Sequence, residues 1–173
     1  MYFQRFTPDD PEEFLVSIEG VRLELVEARS AGDVARLLDL VPDLGSMLTT
    51  ARQEDKARQL LLEFLPLARE QNTPENLGWL LLALATANQY LDRRSEAGEQ
   101  FAETLALAQT IYSEHLEHYT LHHWGRFLVE EGNIEQAKRC FTRALELRVK
   151  LDEPRQESTR RAIEALKDFT AAA

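Results

Sequence analysis

Four columns of this chain recur at a spacing of forty residues without a gap, and no other feature constrains the fold so tightly. Ala57, Ala97 and Ala137 form the first; Leu61, Phe101 and Phe141 the second; Leu65, Leu105 and Leu145 the third; Leu67, Leu107 and Leu147 the fourth. A repeat of this length is a supersecondary unit that cannot bury its apolar face alone, so successive copies must stack. Leu, Ala, Glu and Arg dominate, and the 173 residues include only seven Gly and six Pro, which makes the unit helical.

The punctuation keeps the same period. Asp33, Thr73 and Ser113 lie forty apart, each with a side-chain oxygen suited to an orphan helix N–H, and Pro74 and Pro154 follow such positions where a missing N–H costs nothing. Asn133 with Gln136 reads as a capping box after Gly132, which ends the helix before it. Asp10-Pro11-Glu12-Glu13 is a further start, with acids where the helix dipole favours them. The spacing predicts helices over about 11–30, 34–51, 54–71, 74–91, 94–111, 114–131, 134–151 and 154–170. Pro42 and Pro66 fall inside two of them, so kinks are expected there and the first repeat should be the least regular.

Small residues recur where paired helices must approach: Gly45, Ala85 and Gly125 on the first helix of each pair, Ala57, Ala97 and Ala137 on the second. Large apolar residues flank them, with Leu44, Leu84 and Trp124 beside Leu61, Phe101 and Phe141. The arrangement of Leu121, Trp124-Gly125, Leu128, Gly132, Ala137, Phe141, Ala144 and Pro154 resembles the tetratricopeptide repeat, in the long-helix form found in kinesin light chains. Asn88, Thr104 and Phe64 depart from the family's column types. The resemblance implies an all-α, right-handed superhelical solenoid of about eight antiparallel helices in one domain, 1–173. Its parts are an N-terminal capping helix in 11–33, repeats over 34–73, 74–113 and 114–153, and a C-terminal capping helix over 154–170.

Phe14, Ile18, Val21, Leu25 and Ala28 give the first helix a docking stripe, while Leu15, Leu23 and Val26 give it a second apolar side. That side either packs under Tyr2, Phe3 and Phe6 or serves as a homodimer interface, the intramolecular cover being slightly favoured. The last helix segregates Ala162, Ile163, Leu166 and Phe169 from Arg160, Arg161, Glu164 and Lys167, as a cap requires.

Charge and motifs narrow the function. Twenty basic against thirty acidic residues leave a net −10, a field that disfavours nucleic acid and anionic membrane surfaces. No segment has the apolar length of a membrane span, residues 1–10 lack the basic and apolar regions of a signal peptide, and one cysteine cannot form an internal disulfide. A cytoplasmic setting is expected, and arginine outnumbering lysine points to a bacterial genome rich in G and C. The segment 138–161 carries a net +4 and residues 1–30 a net −4, read chiefly as solvated mixed-charge faces. There is no glycine-rich phosphate loop and no nucleophile elbow, so neither enzymatic activity nor a cofactor is expected. Cys140 reads as a small packed side chain. His115, His118 and His122 share a helix face, which makes a zinc or nickel site geometrically possible, but the spacing lacks a base and a fourth ligand. A polar helix surface along a groove is the expected reading, with no metal bound.

The expected function is binding a peptide or helix of another protein, as the resemblance implies. The alternative is a peptide-sensing, regulatory module of a bacterial signalling or transcription-control system. Turning the core columns inward leaves Trp79, Leu82, Ala83, Thr86, Gln89 and Tyr90 on one helix, and Tyr119, His122, His123 and Arg126 on another, as the groove-lining set. The family's Lys and Asn carboxylate clamp is not reproduced at Pro42, Ser46, Leu82, Thr86, His122 and Arg126, so a hydrophobic or weakly acidic peptide is expected instead of a chaperone tail. In that reading Arg126 is the fixed positive charge and the histidines add charge only below about pH 6.5.

Overall fold

A computed structural model of the chain describes residues 2–71 and 73–171, the last four of these by their backbone alone. Among the described residues the chain forms eight helices and no strand: α1 (Pro11–Ala31), α2 (Val34–Thr50), α3 (Glu54–Glu70), α4 (Pro74–Tyr90), α5 (Arg94–Thr110), α6 (Glu114–Glu130), α7 (Ile134–Lys150) and α8 (Gln156–Ala171). Every helix from α1 to α7 begins on the residue the punctuation predicts. The fold is an all-α helical repeat, and no described helix is long and apolar enough to cross a membrane.

Local capping explains the starts. Asp10 accepts from the amides of Glu12 and Glu13, Asp33 from that of Arg36, and Ser113 from that of Leu116. Thr73 makes no such bond, and Asn133 spends its amide on the Gln136 side chain instead of closing a capping box. Pro42 and Pro66 interrupt neither helix, and the first repeat has the same 17-residue helices as the others. α8 starts two residues later than Pro154 suggests; the carbonyl of Arg155, just before it, accepts from Arg148 Nη1 at 2.9 Å and from the Ser158 hydroxyl at 2.8 Å.

The turns carry a signal that the glycines only hint at. Besides Gly32 and Gly132, left-handed backbone occurs at Arg52, Asp92, Tyr112 and Asp152. In each turn the next residue's amide reaches back across the helix end, as Gln53 N does to Leu48 O and Arg93 N to Asn88 O, both at 2.9 Å. This is the Schellman closure, and it ends helices at a twenty-residue spacing with or without glycine.

The helices group into two compact units, Phe6–Leu107 and a second made of Met1–Arg5 with Ala108–Ala173. In the first, α1 packs on α2, α2 on α3, and both on α4. Ile18, Leu25 and Ala28 of α1 enter the core with Leu38, Val41, Leu44, Leu61, Phe64 and Leu84, and Phe14 and Val21 pack at its edge, as the docking stripe requires. The second face of α1 is uncovered: Leu15, Leu23 and Val26 are 46%, 66% and 61% exposed. Phe6, the one of the three expected covering aromatics that belongs to this unit, is itself exposed. In the second unit α6 packs on α7 and α7 on α8. Ala162 and Leu166 are buried there, while the Phe169 side chain lies outside the described residues.

The repeated small columns make the close contacts expected of them. A Cβ at Gly45 would come within 2.8 Å of Leu61, and one at Gly125 within 2.7 Å of the Phe141 ring. Ala57, Ala97 and Ala137 are all fully buried. Gly125→Ala should therefore destabilise the chain by about 1–3 kcal/mol in denaturant titration, since a planar ring inside a packed core has little room to retreat. An unchanged midpoint would show that the α6·α7 crossing is not tight. At the turn after α5, Tyr112 is left-handed and 91% exposed. Tyr112→Gly should stabilise by about 0.5–1 kcal/mol, the left-handed penalty outweighing the added chain entropy. A lower midpoint for that variant would contradict the turn geometry.

Candidate functional site

The four histidines do not form one exposed face. His118 and His122 are buried and His123 half-buried; only His115 is exposed. His118 and His122 face a buried polar cluster centred on Arg148. Arg148 of α7 is 1% exposed, and its Nε donates to His118 Nδ1 at 3.2 Å. Its Nη1 lies 2.6 Å from Thr159 Oγ1, 3.1 Å from Ser158 Oγ and 2.9 Å from the Arg155 carbonyl, and the guanidinium stands 5.5 Å from the Tyr119 ring centre. Thr159 Oγ1, having accepted from the arginine, is 3.1 Å from His122 Nδ1. Its one proton is free to complete that bond. α6, α7 and α8 are thus joined by a polar chain running Arg148, Thr159, His122, with His118 on its other side.

Electrostatics follow from this arrangement. Burial first, and the Arg148 charge next, hold His118 down to about 4 and His122 well below the ordinary imidazole value; burial and then Arg126 hold His123 down to about 3. These rings stay neutral well below pH 6.5, which corrects the expectation that they gain charge there. Arg148 itself is lowered to about 10, mainly by burial. Burial likewise raises Cys140 to about 11, more than Arg139 lowers it, so this thiol is a packed group and a poor nucleophile.

The metal geometry also differs from the sequence expectation. His122 bonds Thr159, and the group with converging ligand atoms is His115, His118 and Glu153, within 4.8 Å of one another. The Arg148 Nε–H makes His118 Nδ1 an acceptor, so the ring proton of the neutral imidazole sits on Nε2. His118 Nε2 is buried with no hydrogen-bond partner. With one nitrogen occupied by a guanidinium and the other protonated, His118 has no lone pair to offer a cation. Arg155 adds positive charge beside the same residues.

A second feature of α6 had no sequence signal. The N-terminal residues lie on this unit, and Phe3 is held there by both main-chain groups: its N–H donates to Glu130 Oε1 at 3.0 Å and its carbonyl accepts from Arg126 Nε at 3.1 Å. The Phe3 ring is 6.2 Å from Phe141, and the Gln4 side-chain amide donates to the Arg161 carbonyl of α8 at 3.2 Å. Arg126 and Glu130 are four residues apart, so one helix face reads both polar groups of a single peptide residue. Arg126 is buried and engaged, not an open charge for an incoming carboxylate.

The other residues expected to line a groove are placed as follows. On α4, Leu82, Ala83 and Gln89 are buried, and Trp79, Thr86 and Tyr90 half-buried, with the Thr86 hydroxyl turned back to the Leu82 carbonyl at 2.9 Å. On α6, Tyr119 is half-buried and its hydroxyl accepts from Arg155. Within the basic run 138–161, Arg143 pairs with Glu117 and Glu146, Lys150 with Glu114, Arg155 with Glu153, and Arg160 with Glu157.

No family model and no curated protein matches the sequence. Among solved structures, the fold is similar to the crystal structure of BtubC (BKLC) from P. vanneervenii, with a TM-score of 0.65 at 18% identity over 94% of this chain and 76% of that one. The likeness establishes the helical-repeat fold.

The buried imidazoles make stability depend on pH. Folded, they are neutral; unfolded, they take up protons below the ordinary value of 6.5, so the unfolded state binds more protons and stability falls as pH drops from about 6.5 towards about 4. The melting temperature should therefore fall between pH 7 and pH 5, where most carboxylates are still ionised, and the slope should flatten in His122→Gln. A flat profile in the wild-type chain would mean that the rings are not buried neutral.

Proposed function

We propose that the chain is a tetratricopeptide-type interaction module, without enzymatic activity, that binds a short segment of another protein. One observation carries this reading. The α6–α8 unit already holds an irregular peptide by its main chain, through the Arg126 and Glu130 contacts to Phe3, and a surface that binds one residue's N–H and C=O can do so largely independently of side-chain identity. The helical-repeat fold is consistent with a scaffold, though fold alone does not assign function.

Uncovered Leu15, Leu23 and Val26 favour a homodimer through α1 as an accompanying arrangement, because apolar side chains this exposed along one helix gain from mutual burial. A peptide-sensing regulatory role is the second functional reading, favoured by the presence of the chain's own N-terminal residues on the Arg126 face.

Immobilised wild-type protein should retain specific partners, and a Tyr119→Ala, His123→Ala, Arg126→Ala triple variant, confined to α6 and with unchanged circular dichroism, should lose most of them. Equal recovery by both proteins would remove these residues from the binding surface.

A further inference from the structure

We propose that the Arg126–Glu130–Phe141 face is a receptor for a turned, aromatic-bearing peptide, and that residues 2–5 are its resident occupant, which a partner segment must displace. The inference rests on the interaction-module reading above and specifies what such a module recognises.

Three features of the occupant define the ligand chemistry. The first is the main chain of one residue, bound at both ends by side chains of α6, Glu130 Oε1 taking the N–H and Arg126 Nε supplying the carbonyl's donor. Charge-assisted hydrogen bonds of this kind are stronger than neutral ones, and any residue but proline offers the same pair of groups. The second is an aromatic side chain. Phe3 approaches Phe141 at a 37° tilt, within the separation at which two rings attract beyond their area burial. The third is the turn. Gln4 has φ of 45°, a left-handed conformation that costs an ordinary residue about 1 kcal/mol and Asn or Gly much less. The site therefore accepts an aromatic residue followed by one that enters left-handed backbone, and Gln4 is a poor choice for that second position.

A weakly fitting resident segment is what a displaceable occupant needs. Gln4 itself contributes a neutral bond to the Arg161 carbonyl, a group inside α8. An incoming segment with the same aromatic residue and Asn after it keeps both α6 contacts and lowers the backbone penalty.

The test uses the full chain and a fluorescein-labelled synthetic peptide carrying the sequence of residues 2–7, followed by fluorescence polarisation. The Phe3→Ala chain, with its resident segment weakened, should bind the peptide about tenfold more tightly than the wild-type chain. Replacing the first Phe of the peptide by Ala should abolish binding, and replacing its Gln by Asn should tighten it roughly fivefold. Adding Glu130→Ala to the Phe3→Ala chain should weaken it about tenfold. Equal affinity for wild-type and Phe3→Ala chains, or no binding to a Phe3→Ala chain that keeps its circular dichroism, overturns the proposal. Should Phe3→Ala fail to fold, amide exchange on the wild-type chain decides: millimolar peptide must accelerate exchange at residues 2–5, and unchanged exchange overturns the proposal. A chain that fails these titrations but loses its partners in the triple variant remains an interaction module with a different site; one that fails both experiments loses both readings.

Discussion

The tight crossing of α2 on α3, and of α6 on α7, is the constraint on which the rest of this structure depends. Gly125 leaves no more room than the Phe141 ring occupies, and Gly45 stands in the same relation to Leu61. At the same register Ala57, Ala97 and Ala137 let the second helix come close enough for its large neighbours to fill the remaining space. Because the small and large partners lie on different helices, the crossing specifies register as well as distance. A one-residue slip would set a β-carbon against a ring. The forty-residue period follows: two 17-residue helices and two three-residue turns return the next small residue to the same crossing.

That geometry was legible because both sides of the contact repeat in the sequence and because capping residues sit at the same spacing. The polar core was less so. Apolar periodicity identifies which face of a helix is buried, but it does not say when a polar residue replaces an apolar one on that face. Arg148 lies forty residues after Ala108 and eighty after Ala68, both buried, so an arginine in an alanine column was the available signal. Grouping it with the surrounding bases hid it. Asn88 is a second case, in the column of Leu48 and Leu128, and it is satisfied by Arg58 Nε at 3.0 Å and Gln100 Oε1 at 2.9 Å. The N-terminal residues have no periodicity at all, so nothing in the sequence separates a place for their aromatics beside the two-faced α1 from a place elsewhere. The competing partner was a helix more than a hundred residues away, with a donor and an acceptor for the same peptide residue.

Arg148 is a buried charge whose hydrogen-bond partners are all neutral, and that is costly compared with a well-packed apolar residue. Its value is in direction. The guanidinium has fixed N–H vectors, and it uses them to join α7 to a ring on α6 and to two hydroxyls and a carbonyl on α8. Apolar contacts between these helices would permit small rotations at little cost, whereas a misdirected guanidinium leaves several buried polar groups unsatisfied. The terminal unit thus adds bonds with defined angles to the packing of its helices.

Phe141 connects this framework to the peptide site. It is fully buried, fills the space left by Gly125, stands 5.7 Å from the His122 ring, and presents the surface that Phe3 approaches. The floor of the site is therefore a core residue of the repeat, while its two hydrogen-bonding groups, Arg126 and Glu130, project from the helix that crosses over it. Arg126 directly follows Gly125, and Glu130 lies about a turn and a half beyond it. Any change that moved α6 relative to α7 would shift the polar pair and the aromatic floor in opposite senses, so an intact crossing is a condition for recognition as well as for stability. A repeat that must hold its helices this closely has already supplied the rigidity that binding a flexible segment requires.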